Sequence, residues 1–320
     1  MLMKFDEACG QIESGKLLHI AGTEELLKKL PKGKWIGGST EYFMSNEGGK
    51  VSDERLFVLE LPYENHKVVS YDANGVKNVA SDAFASGFSL LIIPFDSIVH
   101  REYAEHAADF VDMFLKPVVG WISGLNLGKS GQSPVAVNGE TGEVFFDKAV
   151  CLHVEVPKGK TAFINIVNIF EEEENSPVLS FTEEGFAVER CFVDGEEVVF
   201  AEYLEKNRID TKLPLIGSYS GVGINVSFRA IEDGIVNLYA PVFNGIEYRF
   251  AKKIPDYTEA FHKRIEALSV SNAAFSCNCI LNFLYGGLEG KKMDTFEGPI
   301  TFGEIAYQLV NQTLVYVTVE

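Results

Sequence analysis

The chain has 320 residues, of which 46% are hydrophobic and 23% are charged, a composition typical of a globular protein rather than a disordered or fibrous one. Its formal net charge of −18, from 46 acidic and 28 basic residues, argues against nucleic acid or an anionic membrane as a partner. The length predicts two domains, or one large one.

The cysteines and the hydropathy pattern predict a cytoplasmic protein. The five cysteines are odd in number and lack the spacing of a disulfide framework. Residues 1–7 are already acidic and hold no apolar core of signal-peptide length, and no apolar run reaches the roughly 18 residues of a membrane span. We therefore expect reduced thiols and a cytosolic location.

The first half of the chain alternates predicted strands and helices. A strand at 17–21 is followed by a helix that Thr23 caps. The apolar run 88–93 is typical of a strand covered on both faces. Ser97 opens a helix whose apolar spacing continues to Phe114 and which ends at Pro117.

Two predicted strands run directly into glycine-containing loops. Gly37, Gly38, Ser39 and Thr40 follow the strand 34–36, and free amides with two hydroxyls there would hold a carboxylate or a phosphate. The alternative is a tight turn with a Ser/Thr cap. The second loop ends the strand near residue 118 and contains Gly120 and Ser123.

Three apparent motifs fail on spacing. The stretch 124–130 has three residues between its glycines where a phosphate-binding P-loop needs four, so we exclude an NTPase. The glycines at 217, 221 and 223 do not have dinucleotide-binding spacing. His100 and His106 are six residues apart and do not share a helix face, so they predict a solvated surface and no metal pair.

The middle of the chain predicts hairpins and then a boundary. Strands at 55–61 and 67–71 are expected to pair, and 161–170 is expected to continue the sheet formed by 134–138, 143–146 and 148–156. Four consecutive glutamates at 171–174 repel one another and stay solvated. We place the domain boundary there, giving domains at 1–172 and 173–320. The fold class is α/β (mixed α+β), strand-rich, with mixed sheets flanked by helices.

The last forty-odd residues are dense in apolar and turn residues, which predicts that this tail is packed. Cys277, Asn278, Gly303 and Glu304 are its candidate ligand-binding residues. We expect them to form one wall of a pocket whose other wall is the loop 37–40.

The order of these motifs resembles the FIST family, bacterial proteins with an N-terminal and a C-terminal FIST domain. The resemblance spans nearly the whole chain and implies a sensory module that binds a small molecule such as an amino acid. The signal from such a module would pass through a separate signalling partner, since no signalling domain is fused to the two FIST-like domains. The motifs that carry the resemblance are residues 36–40, 90–93, the helix after Ser97, 119–124, the hairpins from Val135, 194–196, 201–203, 213–215, 275–277, 302–305 and 311–314.

Two other functions stay open at this point. One is an enzyme that uses Cys277 or Cys279 as a nucleophile, although no histidine lies in a recognisable motif with either thiol. The other is a structural protein with a vestigial pocket. The sequence predicts no cofactor, no metal site and no complete catalytic constellation, and it leaves the oligomeric state unknown.

Overall fold

The computed structural model describes residues 1–219, 222–268, 270, 273–293 and 296–320. It confirms a strand-rich mixed α/β fold with mixed sheets. Gly221, one of the three glycines tested for dinucleotide spacing, lies outside the described residues.

Strand pairing divides most of the chain into three repeats of one topology. Each repeat has an outer strand, two parallel strands joined through a helix, a hairpin, and a returning strand. Repeat 1 comprises β1 (Leu2–Lys4), α1 (Phe5–Glu13), β2 (Leu18–Gly22), α2 (Glu24–Lys29), β3 (Trp35–Ser39), β4 (Tyr42–Ser45), β5 (Gly48–Val51) and β6 (Arg55–Glu60). Repeat 2 comprises β7 (His66–Tyr71), a 3-10 turn (Val76–Asn78), β8 (Gly87–Pro94), α3 (Ile98–His106), a second 3-10 turn (Ala107–Asp109), β9 (Val118–Ser123), β10 (Ala136–Asn138), β11 (Glu143–Phe145) and β12 (Ala149–Glu155).

Repeat 3 is interrupted after its first strand, β13 (Ala162–Val167), by a long insertion. The insertion contains β14 (Leu179–Ser180), β15 (Gly185–Val188), β16 (Arg190–Val193), β17 (Glu196–Val199), α4 (Phe200–Lys206), β18 (Leu215–Tyr219), β19 (Val222–Val226), β20 (Phe228–Glu232), β21 (Ile235–Val242) and β22 (Tyr248–Phe250). Repeat 3 then resumes with α5 (Tyr257–Glu266), β23 (Phe275–Cys279), α6 (Ile280–Tyr285), β24 (Gly298–Thr301), β25 (Glu304–Ala306), β26 (Gln308–Val310) and β27 (Leu314–Val319).

The three repeats exchange their hairpins in a cycle. The sheet orders are β1-β6-β2-β3-β10-β11, β7-β12-β8-β9-β25-β26 and β13-β27-β23-β24-β4-β5. Each sheet therefore completes itself with the hairpin of another repeat. The insertion forms two further sheets, β17-β16-β14-β22-β18-β19 and β15-β21-β20.

This topology corrects two expected pairings and joins the two predicted domains through shared sheets. The tail strand β27 pairs with β13, so the last residues share a sheet with a strand of the predicted first domain, while the insertion forms sheets of its own. The strand β13 therefore does not continue the sheet of β12. Likewise β6 pairs with β1 and β2, while β7 pairs with β12, so 55–61 and 67–71 do not form a hairpin.

Helix starts follow the predicted caps, but one helix ends early. Thr23 Oγ1 accepts from the Leu26 amide, and Ser97 Oγ accepts from the His100 amide. The helix from Ser97 stops at His106, because the chain tightens into a 3-10 turn and Asp112 takes a positive φ of 65°. Phe114, which the apolar spacing assigned to the buried face of that helix, is 59% exposed.

In the part of the chain that the structure describes, no helix is long and apolar enough to cross a membrane. The glutamate run 171–174 lies at the surface, at the start of the insertion, as its charge predicts.

Candidate functional site

The second parallel strands of the three repeats end at one place in the molecule. Their last register pairs are Gly22 with Ser39, Pro94 with Ser123, and Cys279 with Thr301. A hydroxyl therefore stands at the equivalent position of every repeat: Ser39, Ser123 and Thr301, all buried. We call this meeting point of the three strand ends the junction.

Hydrogen bonds connect each pair of repeats at the junction. The Gly124 amide donates to Ser39 O at 2.7 Å, and Ser39 Oγ donates to Gly124 O at 2.8 Å. Thr40 Oγ1 donates to Ile300 O at 2.8 Å, and the Phe302 amide donates to Ile122 O at 3.0 Å. The tail thus lies against the segment 37–40, as the sequence predicts.

The predicted glycines serve this packing and not a ligand. Gly37 and Gly38 lie inside β3, paired on both sides by β2 and β10, and Gly120 is paired by β8 and β25. Their amides belong to sheet ladders, which corrects the expectation of free amides in this loop. A Cβ on Gly38 would collide with the side chains of Ile92 and Trp121, and one on Gly120 would collide with the backbone of Leu91. The glycines in these strands are therefore explained by close packing against neighbouring strands.

The tail residues Gly303 and Glu304 are enclosed on the other side of the junction. Gly303 O accepts from the Ile122 amide at 2.9 Å. The Glu304 carboxylate is fully buried and accepts from Thr301 Oγ1 at 2.9 Å and from Thr313 Oγ1 at 2.8 Å. Burial raises its pKa to about 8 against the opposing hydrogen bonds from Thr313 and Thr301, so the carboxyl is largely protonated at neutral pH.

Cys277 and Asn278 face a cavity of only about 10 Å³, which leaves no room for a metabolite. Cys277 Sγ donates to Gly120 O at 3.4 Å. Burial raises the pKa of Cys277 and of Cys279 well above the usual value, with the Glu304 carboxylate adding to the effect. These thiols are therefore poor nucleophiles, and the geometry gives a thiol-dependent enzyme no support.

The open part of the junction is a cleft of about 430 Å³ between repeats 1 and 2. Of the predicted residues, Ser39 and Thr40 line it, while the other predicted residues do not. The cleft is lined by Thr23, Glu24, Glu25, Ser39, Thr40, Glu41, Asp53, Glu54, Gly124, Leu125, Lys129, Gly131, Gln132 and Ser133. We call it the junction cleft. The wall that the tail was expected to supply is supplied by the segment 124–133.

Glu41 is the central charged group of the junction cleft. It is only 3% exposed, and its carboxylate accepts from Asn126 Nδ2 at 2.7 Å, Gln132 Nε2 at 2.8 Å and Lys129 Nζ at 2.9 Å. Burial alone would raise its pKa, but these three hydrogen bonds outweigh burial and lower it. All three donors come from one segment, 126–132, so a single buried carboxylate holds that segment over the cleft.

Lys129 bridges two acids at the mouth of the junction cleft. Its Nζ lies 2.9 Å from Glu41 Oε2 and 2.9 Å from Asp53 Oδ2, while its side chain remains 43% exposed. Hydrogen bonds to Asp53 and Glu41 raise its pKa, so it is charged. No signal in the sequence distinguishes Glu41, Lys129 or Gln132, since the segment around Lys129 shows only the incomplete spacing of a P-loop.

A buried hydroxyl–imidazole chain in repeat 2 was also missed. Tyr71 donates to Asp82 Oδ2 at 2.9 Å, which lets His153 Nε2–H donate to the Tyr71 oxygen at 3.0 Å. His153 Nδ1 then accepts from Ser89 Oγ at 2.7 Å. Ser89 and His153 are both fully buried, so this chain satisfies polar groups in the core. Tyr71, Ser89 and His153 come from three separate strands and Asp82 from a turn, and no spacing in the sequence links them.

Among the residues with described positions, no group of three or more His, Cys, Asp or Glu side chains is placed to hold a metal ion. A family model described as a family of unknown function, DUF6976, matches residues 3–320. No curated protein matches the chain.

Proposed function

Because the chain belongs to DUF6976, a family of unknown function, its role must be inferred from its own residues, and we propose that it is a sensory protein that binds a small zwitterionic metabolite, such as an amino acid, in the junction cleft. The signal would pass to a separate protein. The resemblance to the FIST family points to the same role.

The observation that carries the proposal is the buried Glu41 with its three donors from 126–132. A buried charge is costly unless it is fully paired, so its partners are strongly held in place. Two of these partners, Lys129 and Gln132, also line one wall of an open cleft. A ligand that competes for Glu41 or Lys129 would therefore move that wall, which is what a sensor requires.

The size and the charges of the junction cleft fit a zwitterion. Its volume of about 430 Å³ falls in the range of roughly 300–1,000 Å³ that is usual for small-molecule sites. The Lys129 ammonium offers a partner to a ligand carboxylate. Asp53 and Glu41, which Lys129 now bridges, offer partners to a ligand ammonium. Glu24 and Glu25 are less available, because Lys28 and Lys29 pair with them.

Thermal-shift titration with the twenty amino acids tests the proposal. At a ligand concentration a hundred times Kd, binding stabilises the folded state by about 2.7 kcal/mol, which is easily measured as a rise in Tm. Lys129→Met should abolish the rise. Lys16→Met, which removes an exposed lysine paired with Glu60 far from the cleft, is the matched control and should keep it.

The proposal is abandoned if no amino acid raises the Tm of the natural protein at millimolar concentration. It is also abandoned if Lys129→Met and Lys16→Met respond alike. For the sensory part, hydrogen exchange of residues 125–133 should change when the ligand binds, while exchange in β8 should not.

A further inference from the structure

A second cleft lies between the repeats and the insertion and shares no lining residue with the junction cleft. It has a volume of about 470 Å³. One side is α3 with the turn after it, the second is the β25–β26 hairpin, and the third is the insertion. We call it the insertion cleft. It is lined by Ala104, Glu105, Ala108, Asp109, Glu184, Tyr219, Ile224, Val226, Ala240, Pro241, Phe243, Asn244, Ile246, Gln308 and Leu309.

The floor of the insertion cleft is apolar and partly aromatic. Tyr219 and Phe243 form an edge-to-face pair with ring centroids 6.2 Å apart. The Tyr219 hydroxyl lies 3.2 Å from the Tyr248 hydroxyl, which accepts from the Phe243 amide at 2.8 Å. These hydrogen bonds hold the Tyr219 hydroxyl and the Phe243 backbone in place, and the two rings stand perpendicular to each other, so the cleft offers a pre-formed apolar corner to an aromatic or aliphatic group.

Three carboxylates stand at the insertion cleft: Glu105, Asp109 and Glu184. Glu184 Oε1 accepts from the Asn244 amide at 3.2 Å. Glu184 directly precedes β15, and the Glu105 carboxylate approaches the start of that strand. Glu105 Oε1 lies 3.7 Å from the position that a Cβ on Gly185 would occupy. Two elements distant in sequence therefore bring their acids to one edge.

These carboxylates carry uncompensated charge, unlike Glu24, Glu25, Glu41 and Asp53 of the junction cleft, which pair with lysines. Within the described part of the lining there is no lysine, arginine or histidine. Within the same described residues, none of the three acids takes part in an ion pair; beside α3, Arg101 pairs with Asp96. Next to low-dielectric apolar walls, such unpaired acids attract a cation more strongly than they would in open water.

We propose that the insertion cleft binds an amphipathic cation, a small molecule with a flat apolar body and one ammonium group. The body would lie on the Tyr219–Phe243 pair, and the ammonium would lie between Glu105, Asp109 and Glu184. Ring faces also attract cations, which favours the same class of ligand. This proposal is independent of the junction cleft and of its ligand.

Calorimetric titration with matched probes tests it. Benzylamine, 2-phenylethylamine and tryptamine supply the cation on bodies of three sizes, and 2-phenylethanol and 3-phenylpropionate replace the ammonium by a neutral and an anionic group. We expect saturable binding of at least one amine, about tenfold tighter than its alcohol at low salt and less so at high salt. The anion should bind weakest.

Two pairs of variants locate the binding. Glu105→Gln with Asp109→Asn should bring the amine close to the affinity of the alcohol, whereas Glu143→Gln with Asp147→Asn, which removes the same charge from exposed remote positions, should not. Ala108→Trp fills the cleft from an exposed position and should abolish binding, while Ala108→Ser should preserve it.

Failure of all three amines to bind overturns the proposal, as does equal affinity for amine and alcohol. Binding that survives Ala108→Trp places the ligand elsewhere and also overturns it. Since Lys129→Met leaves this cleft untouched, loss of amino-acid binding at the junction cleft and loss of amine binding here are separately observed.

Discussion

Thr40 Oγ1 donates a hydrogen bond of 2.8 Å to the carbonyl oxygen of Ile300, 260 positions later in the chain. Together with the bonds between Ser39 and Gly124, and between Phe302 and Ile122, it closes the ring of three repeats. The junction is thus fastened by hydroxyl and backbone hydrogen bonds between residues that are distant in sequence.

Thr40→Val should destabilise the fold by about 1–3 kcal/mol, because it leaves the buried Ile300 carbonyl and the Tyr42 amide without the hydroxyl. Thr40→Ser keeps the hydroxyl and should lose less than half as much. Urea unfolding midpoints measure both. A valine variant as stable as the natural protein would show that this contact contributes nothing to closing the ring.

Glu304→Gln should change how stability depends on alkaline pH. The folded-state pKa of Glu304 is raised to about 8 from an ordinary 4.5, so the folded protein holds the proton more tightly than the unfolded chain. The contribution of the protonated Glu304 side chain to the free energy of unfolding is complete below about pH 4.5. It is lost as the pH rises towards 8, and the loss is up to about 5 kcal/mol. The glutamine variant lacks this loss, so the difference between the two unfolding free energies should grow from pH 5 to pH 8. Parallel curves would contradict a raised pKa.

His100→Gln should reduce the loss of stability in acid. Burial lowers the pKa of His100 to about 4, so the unfolded chain binds the proton more tightly than the folded one. Stability is therefore complete above about pH 6.5 and declines as pH falls towards 4. Thermal unfolding from pH 7 to pH 4.5 should show a shallower decline in this variant, and His106→Gln, at an exposed position, is the control that should leave the decline unchanged. Identical declines in all three proteins would place the acid sensitivity elsewhere.

Maleimide labelling should modify Cys9 long before the other cysteines. Cys9 is partly exposed, whereas Cys151, Cys191, Cys277 and Cys279 are buried. Intact mass after a short reaction at neutral pH should show one adduct in the native protein and five in urea. Labelling of Cys277 or Cys279 at the rate of Cys9 would restore the thiol-enzyme hypothesis.

The sequence predicted what depends on neighbours in the chain. The Thr23 cap, the buried strand at 88–93 and the turn at Asn138 between β10 and β11 follow from local spacing and turn chemistry. The contact of the tail with the segment 37–40 was also predicted.

What escaped prediction depends on partners far apart in sequence. The hairpin of β4 and β5 pairs with β24. Nothing in the sequence of residues 42–51 indicates that this distant strand is their partner. The three repeats share topology but no spacing that reveals them, and the insertion separates β13 from β23. Nor does the sequence distinguish the buried Glu41, which anchors a wall of the junction cleft, from the many exposed glutamates. For the same reason the sequence predicts a ligand-facing Glu304, whereas the structure encloses its carboxylate between Thr301 and Thr313.

The exchanged hairpins bear on how the protein is made. Residues 42–51 leave the ribosome long before β24, the strand with which they pair, has been synthesised. For most of that time the growing polypeptide carries an unmatched sheet edge, the kind of surface that chaperones shield and that promotes aggregation when they do not.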